Sequence, residues 1–247
     1  MSRPSSEPKQ LAKAGSATTV GCVRATNEDH HLVDTANGWF AIADGIGGLP
    51  YGERASECAI RQLVREIARP GSEERNVTDT VRSCHDAVRK LGKVISPTMG
   101  IGTTLTAVHL VSPDSARLAH VGDSVAYRHS ISTNSLRQLT TDHTSAVPRV
   151  KTIGGGGADF QPPPSLDRYL GQAEPPECDS QVVRFRPGDR LILCSDGITK
   201  VIDEAEITAV SVAQPNPTAL AEALVHIADL RGGFDNSTVI VMDISLQ

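Results

Sequence analysis

Aromatic side chains are scarce in this chain: four Phe, three Tyr and one Trp among 247 residues. Any core must therefore be filled by Val, Ile, Leu and Ala, and stacking platforms for bases are missing. Excess positive charge is absent too, since 24 basic against 29 acidic side chains leave a formal net charge of −5. No nucleic-acid partner is expected on either count. No apolar run approaches the roughly 18–20 residues of a membrane span, so no membrane association is expected. The segment Met1 to Ala14 carries Arg3, Lys9 and Lys13 without an apolar stretch, so no secretory signal is read. Cysteines number only five (Cys22, Cys58, Cys84, Cys178, Cys194) and never stand as C-x-x-C. That pattern excludes a disulfide framework or a zinc site and points to reduced, buried thiols in a cytoplasmic protein.

What is present is enough apolar sequence, 39% of the residues, for one sizeable core. Residues 1–14 read as a disordered leader and 15–247 as a single domain. Buried strands are expected at Trp39–Ala43, Arg190–Cys194 and Thr238–Met242, with further strands at Ala17–Val23, Gly102–Val111, Ala116–Val121 and Val125–His129. Val77, Val81, Cys84, Val88, Leu91 and Ile95 step by four and three along one helical face, as do Ala55, Ala59, Leu63 and Ile67. Leu220, Leu224 and Ile227 mark a third helix, and Asp203 with Glu206 signals an N-cap. Strands in hairpin groups with two helices inserted together imply an α+β sandwich, not a doubly wound parallel sheet. From 145 to 176 the texture changes to Gly154–Gly157, Pro162–Pro164 and Pro175–Pro176, read as a flap over a site.

Chemistry enters with a recurring form, an apolar strand that ends in aspartate. It appears at Ile42-Ala43-Asp44-Gly45, His120-Val121-Gly122-Asp123-Ser124, Leu193-Cys194-Ser195-Asp196-Gly197 and Phe234-Asp235-Asn236, with Asn27-Glu28-Asp29 upstream. Singly, each such dipeptide is a turn signal. Together, carboxylates at the ends of core strands can converge on one sheet edge. Two like charges 4 Å apart repel by about 4 kcal/mol at an effective dielectric near 20, so a cleft of them calls for protons or cations. The donors are all oxygens, which suits Mg²⁺ or Mn²⁺ better than Zn²⁺. Two ions sharing one carboxylate would activate water and clamp a phosphoryl group.

Seven motifs in order carry a resemblance across nearly the whole chain. They are Gly21-x-x-Arg24-x-x-Asn27-Glu28-Asp29, Phe40 to Gly48 (FAIADGIGG), Gly102-Thr103-Thr104, Val121 to Ser124, Leu139 to His143 (LTTDH), Gly188-Asp189-Arg190 through Asp196-Gly197, and Asp235 to Val239 (DNSTV). This series resembles the metal-dependent protein phosphatases of type 2C, the compact bacterial members most. The resemblance implies a four-layer αββα sandwich, two antiparallel sheets flanked by helix pairs. It implies two core Mn²⁺ or Mg²⁺ ions bridged by Asp44, with the Gly45 carbonyl as a further ligand. Asp196 and Asp235 match the carboxylates of the first metal, and Glu28 and Asp29 the acidic pair beside the second. Asp123, with Asp196, matches a weaker third site, and Arg24 the arginine that grips the substrate phosphate. The implied reaction is attack of a metal-bridging hydroxide on phosphoserine or phosphothreonine of a protein. The implied setting is a cytoplasmic monomer opposing a eukaryotic-type serine/threonine kinase.

The chain also departs from that pattern. Ile46 stands where many members carry the histidine proposed as general acid, so no leaving-group acid is assigned. Val125 replaces a usual arginine, and His120 replaces a common asparagine and reads as a hydrogen-bonded strand residue. His143 and Asp142 read as braces at the base of the flap, a plain cap or turn being equally open. Two other classes fit parts of the sequence. A pseudophosphatase would use the fold as a binding module, but Asp44, Asp196, Asp235 and Arg24 are all retained. A two-metal nuclease fits the carboxylates alone and fails on net charge and motif order.

Overall fold

The computed structural model describes residues 11–71, 76–145, 165–186 and 188–244. Its first strands are β1 (Ala12–Thr19), β2 (Asp29–Asp34) and β3 (Trp39–Asp44), followed by helices α1 (Gly52–Ile67) and α2 (Val77–Ile95). A run of strands comes next: β4 (Leu105–Ser112), β5 (Ser115–Val121), β6 (Val125–Ser130), β7 (Ser135–Gln138), and the short pair β8 (Thr144–Ser145) and β9 (Ser165–Leu166). The chain continues through β10 (Asp179–Arg184), β11 (Asp189–Cys194), α3 (Asp196–Thr199), α4 (Glu204–Ala213), α5 (Pro217–Leu230) and β12 (Ser237–Ile244). Two five-stranded sheets result, ordered β1-β12-β11-β6-β7 and β10-β5-β4-β3-β2, and every pairing is antiparallel.

The side-chain period of two explains why the central strands are apolar on both faces. Along β3, Phe40 and Ile42 point into the layer between the sheets, whereas Trp39, Ala41 and Ala43 pack under α1 and α2. Along β11 and β12, Leu191, Leu193, Ile240 and Met242 meet the same inner layer. The alternate residues Ile192, Cys194, Val239 and Val241 face α3, α4 and α5. The result is helices, sheet, sheet, helices, which is the expected sandwich. Burying each such aliphatic side chain is worth about 1.5–3 kcal/mol, so three contiguous apolar layers need few aromatics beyond Trp39, Phe40, Tyr127 and Phe185.

The helices follow their sequence signals. Val77, Val81, Cys84 and Val88 of α2 are buried, as are Ala55, Ala59 and Leu63 of α1. Asn76 accepts from the Thr78 amide at the start of α2, and Asp203 accepts from the Glu206 amide at the start of α4.

Several boundaries are corrected. The first strand is Ala12–Thr19, not Ala17–Val23, so Ala12 to Ala14 belong to the sheet and not to a disordered leader. The reason is pairing: Ala12 lies opposite Ile244 and Thr19 opposite Ser237, so the partner β12 sets the register where an Ala/Gly/Ser/Thr sequence carries no apolar alternation. The fourth strand begins at Leu105, because Gly102 to Thr104 are drawn into the site. The edge strands β2, β7 and β10 carry no clear apolar pattern and are additions to the expected set. Of the expected flap, 146–164 lie outside the described residues, as do 1–10 of the leader; the flap's ends meet as β8 paired with β9. The thiols are free, and Cys84 and Cys194 are buried, but Cys22 is exposed and Cys58 and Cys178 are half-buried. Among the described residues no helix is long and apolar enough to cross a membrane.

Candidate active site

The ends of β3, β5 and β11 and the start of β12 lie on one edge of the sandwich, and each delivers an aspartate there. Asp44 ends β3, Asp123 sits in the turn between β5 and β6, Asp196 opens α3 just after β11, and Asp235 precedes β12. With Glu28 they line a cleft of about 480 Å³, together with Gly45, Arg24 and Lys200. Another hollow, about 510 Å³, lies between α2 and residues 174–178 and contains none of these carboxylates.

The motifs between the aspartates hold them in place. The Asp44 amide donates to Thr104 Oγ1 (3.0 Å), while the Asp44 carbonyl accepts from the Thr104 amide (2.8 Å) and from Thr103 Oγ1 (2.9 Å). Thr104 Oγ1 also shares a 2.9 Å hydrogen bond with Ser124 Oγ, which links the Asp44 and Asp123 turns. Gly122 has φ +119°, and a Cβ there would lie 2.6 Å from Thr104 Cβ, so this turn needs glycine. Asn236 stitches the opposite wall. Its Nδ2 donates to the carbonyls of Val20 (2.9 Å) and Thr26 (3.0 Å), and its Oδ1 accepts from the Glu28 amide (2.8 Å).

Burial and mutual repulsion shape the carboxylates' proton affinity. Desolvation, then the charges of Asp29, Asp196, Asp123 and Asp235, pushes Asp44 well above the ordinary carboxylate range. Asp123 is raised to about 7 by burial and by Asp196, with Lys200 opposing. Asp196 and Glu28 are also raised, chiefly by desolvation, each against a neighbouring cation, Lys200 for the first and Arg24 for the second. Asp29 lies behind Asp44, opposite it in the β2–β3 register, and does not line the cleft. Its Oδ2 accepts from Thr238 Oγ1 (2.7 Å) and Ser195 Oγ (2.8 Å), and its Oδ1 is buried with no partner. Burial raises it to about 6 despite those two hydroxyls.

Two protein cations answer this charge. Arg24 forks onto Asp235, Nε to Oδ1 at 3.0 Å and an Nη to Oδ2 at 3.1 Å. Lys200 Nζ lies 2.5 Å from Asp196 Oδ2 and 3.4 Å from Asp235 Oδ2. Among the described residues no three carboxylate, thiol or imidazole side chains are gathered as a finished metal cage, and Asp196 and Asp235 are paired with these cations. The donor set nevertheless fits hard divalent ions. It is all oxygen, it carries five carboxylates against two cations in one cleft, and the adjoining Asp29 has an orphaned buried oxygen.

Every predicted site residue except Asp29 thus reaches the cleft wall. Lys200 was missed by sequence reasoning, and Thr104 was named only within its motif, without a role. Lys200 had a signal, the i, i+4 spacing from Asp196 at a helix start. His143 holds the Asp123 turn, its amide donating to the Gly122 carbonyl (2.8 Å) and its Nδ1 accepting from the Gly122 amide (3.1 Å), while its carbonyl accepts from the Asp167 amide (2.8 Å) just after β9. Burial lowers His120 to about 4, and it shares a 2.8 Å hydrogen bond with Thr106, as a structural strand residue should. Ile46, Leu49 and Tyr169 pack over Gly102 and form an apolar side of the cleft.

Comparison with known proteins points the same way. The protein-family description "Protein phosphatase 2C" matches residues 23–226. A putative protein phosphatase 2C-type of Streptococcus pyogenes is 32% identical, with 91% of this chain and 94% of that one covered. The serine/threonine protein phosphatase PstP of Mycobacterium tuberculosis is 34% identical, over 91% of this chain and 43% of its own. The solved catalytic domain of a serine/threonine protein phosphatase PstP, in complex with two manganese ions, superposes with a TM-score of 0.76 at 27% identity. That match covers 95% of this chain and 99% of that one.

Proposed function

This chain belongs to the protein phosphatase 2C family and is a metal-dependent serine/threonine phosphatase using Mn²⁺ or Mg²⁺, and from that premise we propose which residues do the work. Asp44, the Gly45 carbonyl, Asp196 and Asp235 hold the core ions, Glu28 and Asp29 support the second of them, and Asp123 with Asp196 serves a weaker third. The observation that carries this assignment is the delivery of Asp44, Asp123, Asp196 and Asp235 into one cleft by the ends of separate strands. Bound there, the ions supply Lewis-acid charge and the nucleophilic water of phosphomonoester hydrolysis.

The chain's own groups do the rest. Thr103 and Thr104 fix the Asp44 backbone, so its carboxylate is aimed before any ligand arrives. Arg24 presents a planar fork at the cleft, now held by Asp235, and this fork suits two phosphate oxygens once Asp235 is engaged elsewhere. Ile46, Leu49 and Tyr169 give the cleft an apolar wall, and among the described residues no histidine lines it. Among the described residues no cysteine lines the cleft, which agrees with direct hydrolysis without a thiol phospho-enzyme.

The substrates we propose are phosphoserine- and phosphothreonine-bearing proteins, among them the targets of a eukaryotic-type kinase, and the enzyme works as a cytoplasmic monomer. The relatives' names support the phosphoprotein substrates, and the free thiols support a reducing compartment. The test is hydrolysis of p-nitrophenyl phosphate and then of a phosphothreonine peptide, with Mn²⁺, with Mg²⁺, with chelator, and with Asp44→Asn as the blank. Turnover that needs metal and is lost in the variant is expected. Folded, metal-loaded protein that turns over neither substrate would overturn the assignment in favour of a binding module.

A further inference from the structure

We propose that Lys200 is a resident counter-cation of the metal site, which a divalent ion must displace from Asp196 and Asp235, so that it sets the metal concentration at which the enzyme loads. The inference rests on the phosphatase assignment and concerns a residue to which that assignment gives no role.

Lys200 stands one turn after Asp196, where the four-residue helix α3 ends. Its own amide donates to the Asp196 carbonyl at 2.9 Å, so the stem is anchored beside the carboxylate that the ammonium reaches. The ammonium touches Asp196 Oδ2 at 2.5 Å and Asp235 Oδ2 at 3.4 Å. Both oxygens belong to the carboxylates assigned to the first metal. An ion at about 2.0–2.2 Å from those oxygens cannot share them with an ammonium already in contact, because two cations would then abut. Arg24 holds Asp235 from the other side, but its fork spans Asp235 alone. Among the described residues Lys200 is the group that spans both carboxylates.

Displacement is open to it. Its side chain is 57% exposed, so the ammonium can swing to water on a flexible four-carbon stem. Metal binding therefore carries the cost of breaking these two contacts, and deleting the ammonium removes that cost. Partly exposed pairs are individually weak, so the expected gain is about tenfold in metal affinity for the two together. The effect should also shrink as salt rises, since screening weakens the contacts being broken.

The experiment is titration of MnCl₂ into the chelator-stripped full chain by calorimetry, comparing wild type, Lys200→Met, Lys200→Arg and Asp196→Asn, with thermal melts to verify folding. Lys200→Met should bind Mn²⁺ about tenfold more tightly than wild type, and Lys200→Arg should stay within about threefold of it. Lys200→Met with wild-type or weaker affinity would overturn the inference, and Lys200→Gln supplies the same comparison should the Met variant misfold. The phosphatase assignment fails separately. It is overturned if wild type takes up no Mn²⁺ or if Asp196→Asn binds as well as wild type, whatever Lys200→Met does.

Discussion

Replacing Asp123 by Asn should stabilise the metal-free protein at alkaline pH and weaken its response to metal, a reversal that an ordinary surface aspartate would not show. Asp123 is raised from 3.8 to about 7, first by burial and then by the charge of Asp196. An acid whose folded value is raised holds its proton longer folded than unfolded. Its contribution is therefore favourable below about pH 4, declines between about pH 4 and 7, and is fully lost above. Each tenfold step is worth 1.36 kcal/mol, so the ceiling is about 4 kcal/mol. The cleft is open to water, which reduces this to about 2 kcal/mol. For a chain of this length that is a shift in Tm of about 4–8 °C. The assay is thermal melting of wild type and Asp123→Asn at pH 4.5 and pH 8, in EDTA and in Mn²⁺. In EDTA the variant should melt slightly higher at pH 4.5, and its advantage should widen to its full size at pH 8. In Mn²⁺ at pH 8 wild type should gain more than the variant. Equal melting in EDTA at both pH values would refute the like-charge account of the cleft.

Other outcomes follow from particular contacts. Asp44→Asn should abolish turnover, by at least about 10³-fold, while its circular dichroism and melting in EDTA stay native or improve, because a buried like charge is removed without change of volume. Arg24→Ala should raise KM for a phosphopeptide more than it lowers kcat, and an unchanged KM would remove Arg24 from phosphate binding. Gly122→Ala should cost activity and Mn²⁺ affinity together, since its Cβ would meet Thr104 at φ +119° in the turn that carries Asp123; wild-type titration of that variant would show that the turn has slack. Arg190→Met should lower stability by about 3 kcal/mol in a urea melt with Mn²⁺ affinity unchanged. Buried Arg190 pairs with Asp243 at 2.5 Å and donates to the Ser211, Gln214 and Pro215 carbonyls at the end of α4, far from the cleft in function.

The difference between what the amino-acid sequence discloses and what it hides is physical. Strands buried on both faces are runs of Val, Ile and Leu, so β3, β11 and β12 were legible, and with them the aspartates that end β3 and flank the other two. Edge strands answer to a partner instead. Asp179–Arg184 is almost wholly exposed, and Ala12–Thr19 takes its register from β12, so neither boundary is written in local hydropathy. The same division runs through the site. Asp44, Asp123, Asp196 and Asp235 could be named because each lies at the end or just before the start of a strand that meets the sheet edge. Asp29 sits on edge strand β2, and only the β2–β3 register places it behind Asp44, under the hydroxyls of Ser195 and Thr238. Lys200 stayed hidden for a different reason. A lysine after a short helix is an unremarkable surface residue until the second carboxylate, Asp235, is brought to it from 35 positions away by the closing of β12 onto β11. Position along the chain therefore reveals ligands that single strands present. The i, i+4 spacing ties Lys200 to Asp196, but its bridging of two carboxylates is defined by the space between two strands and becomes visible only once both are in place.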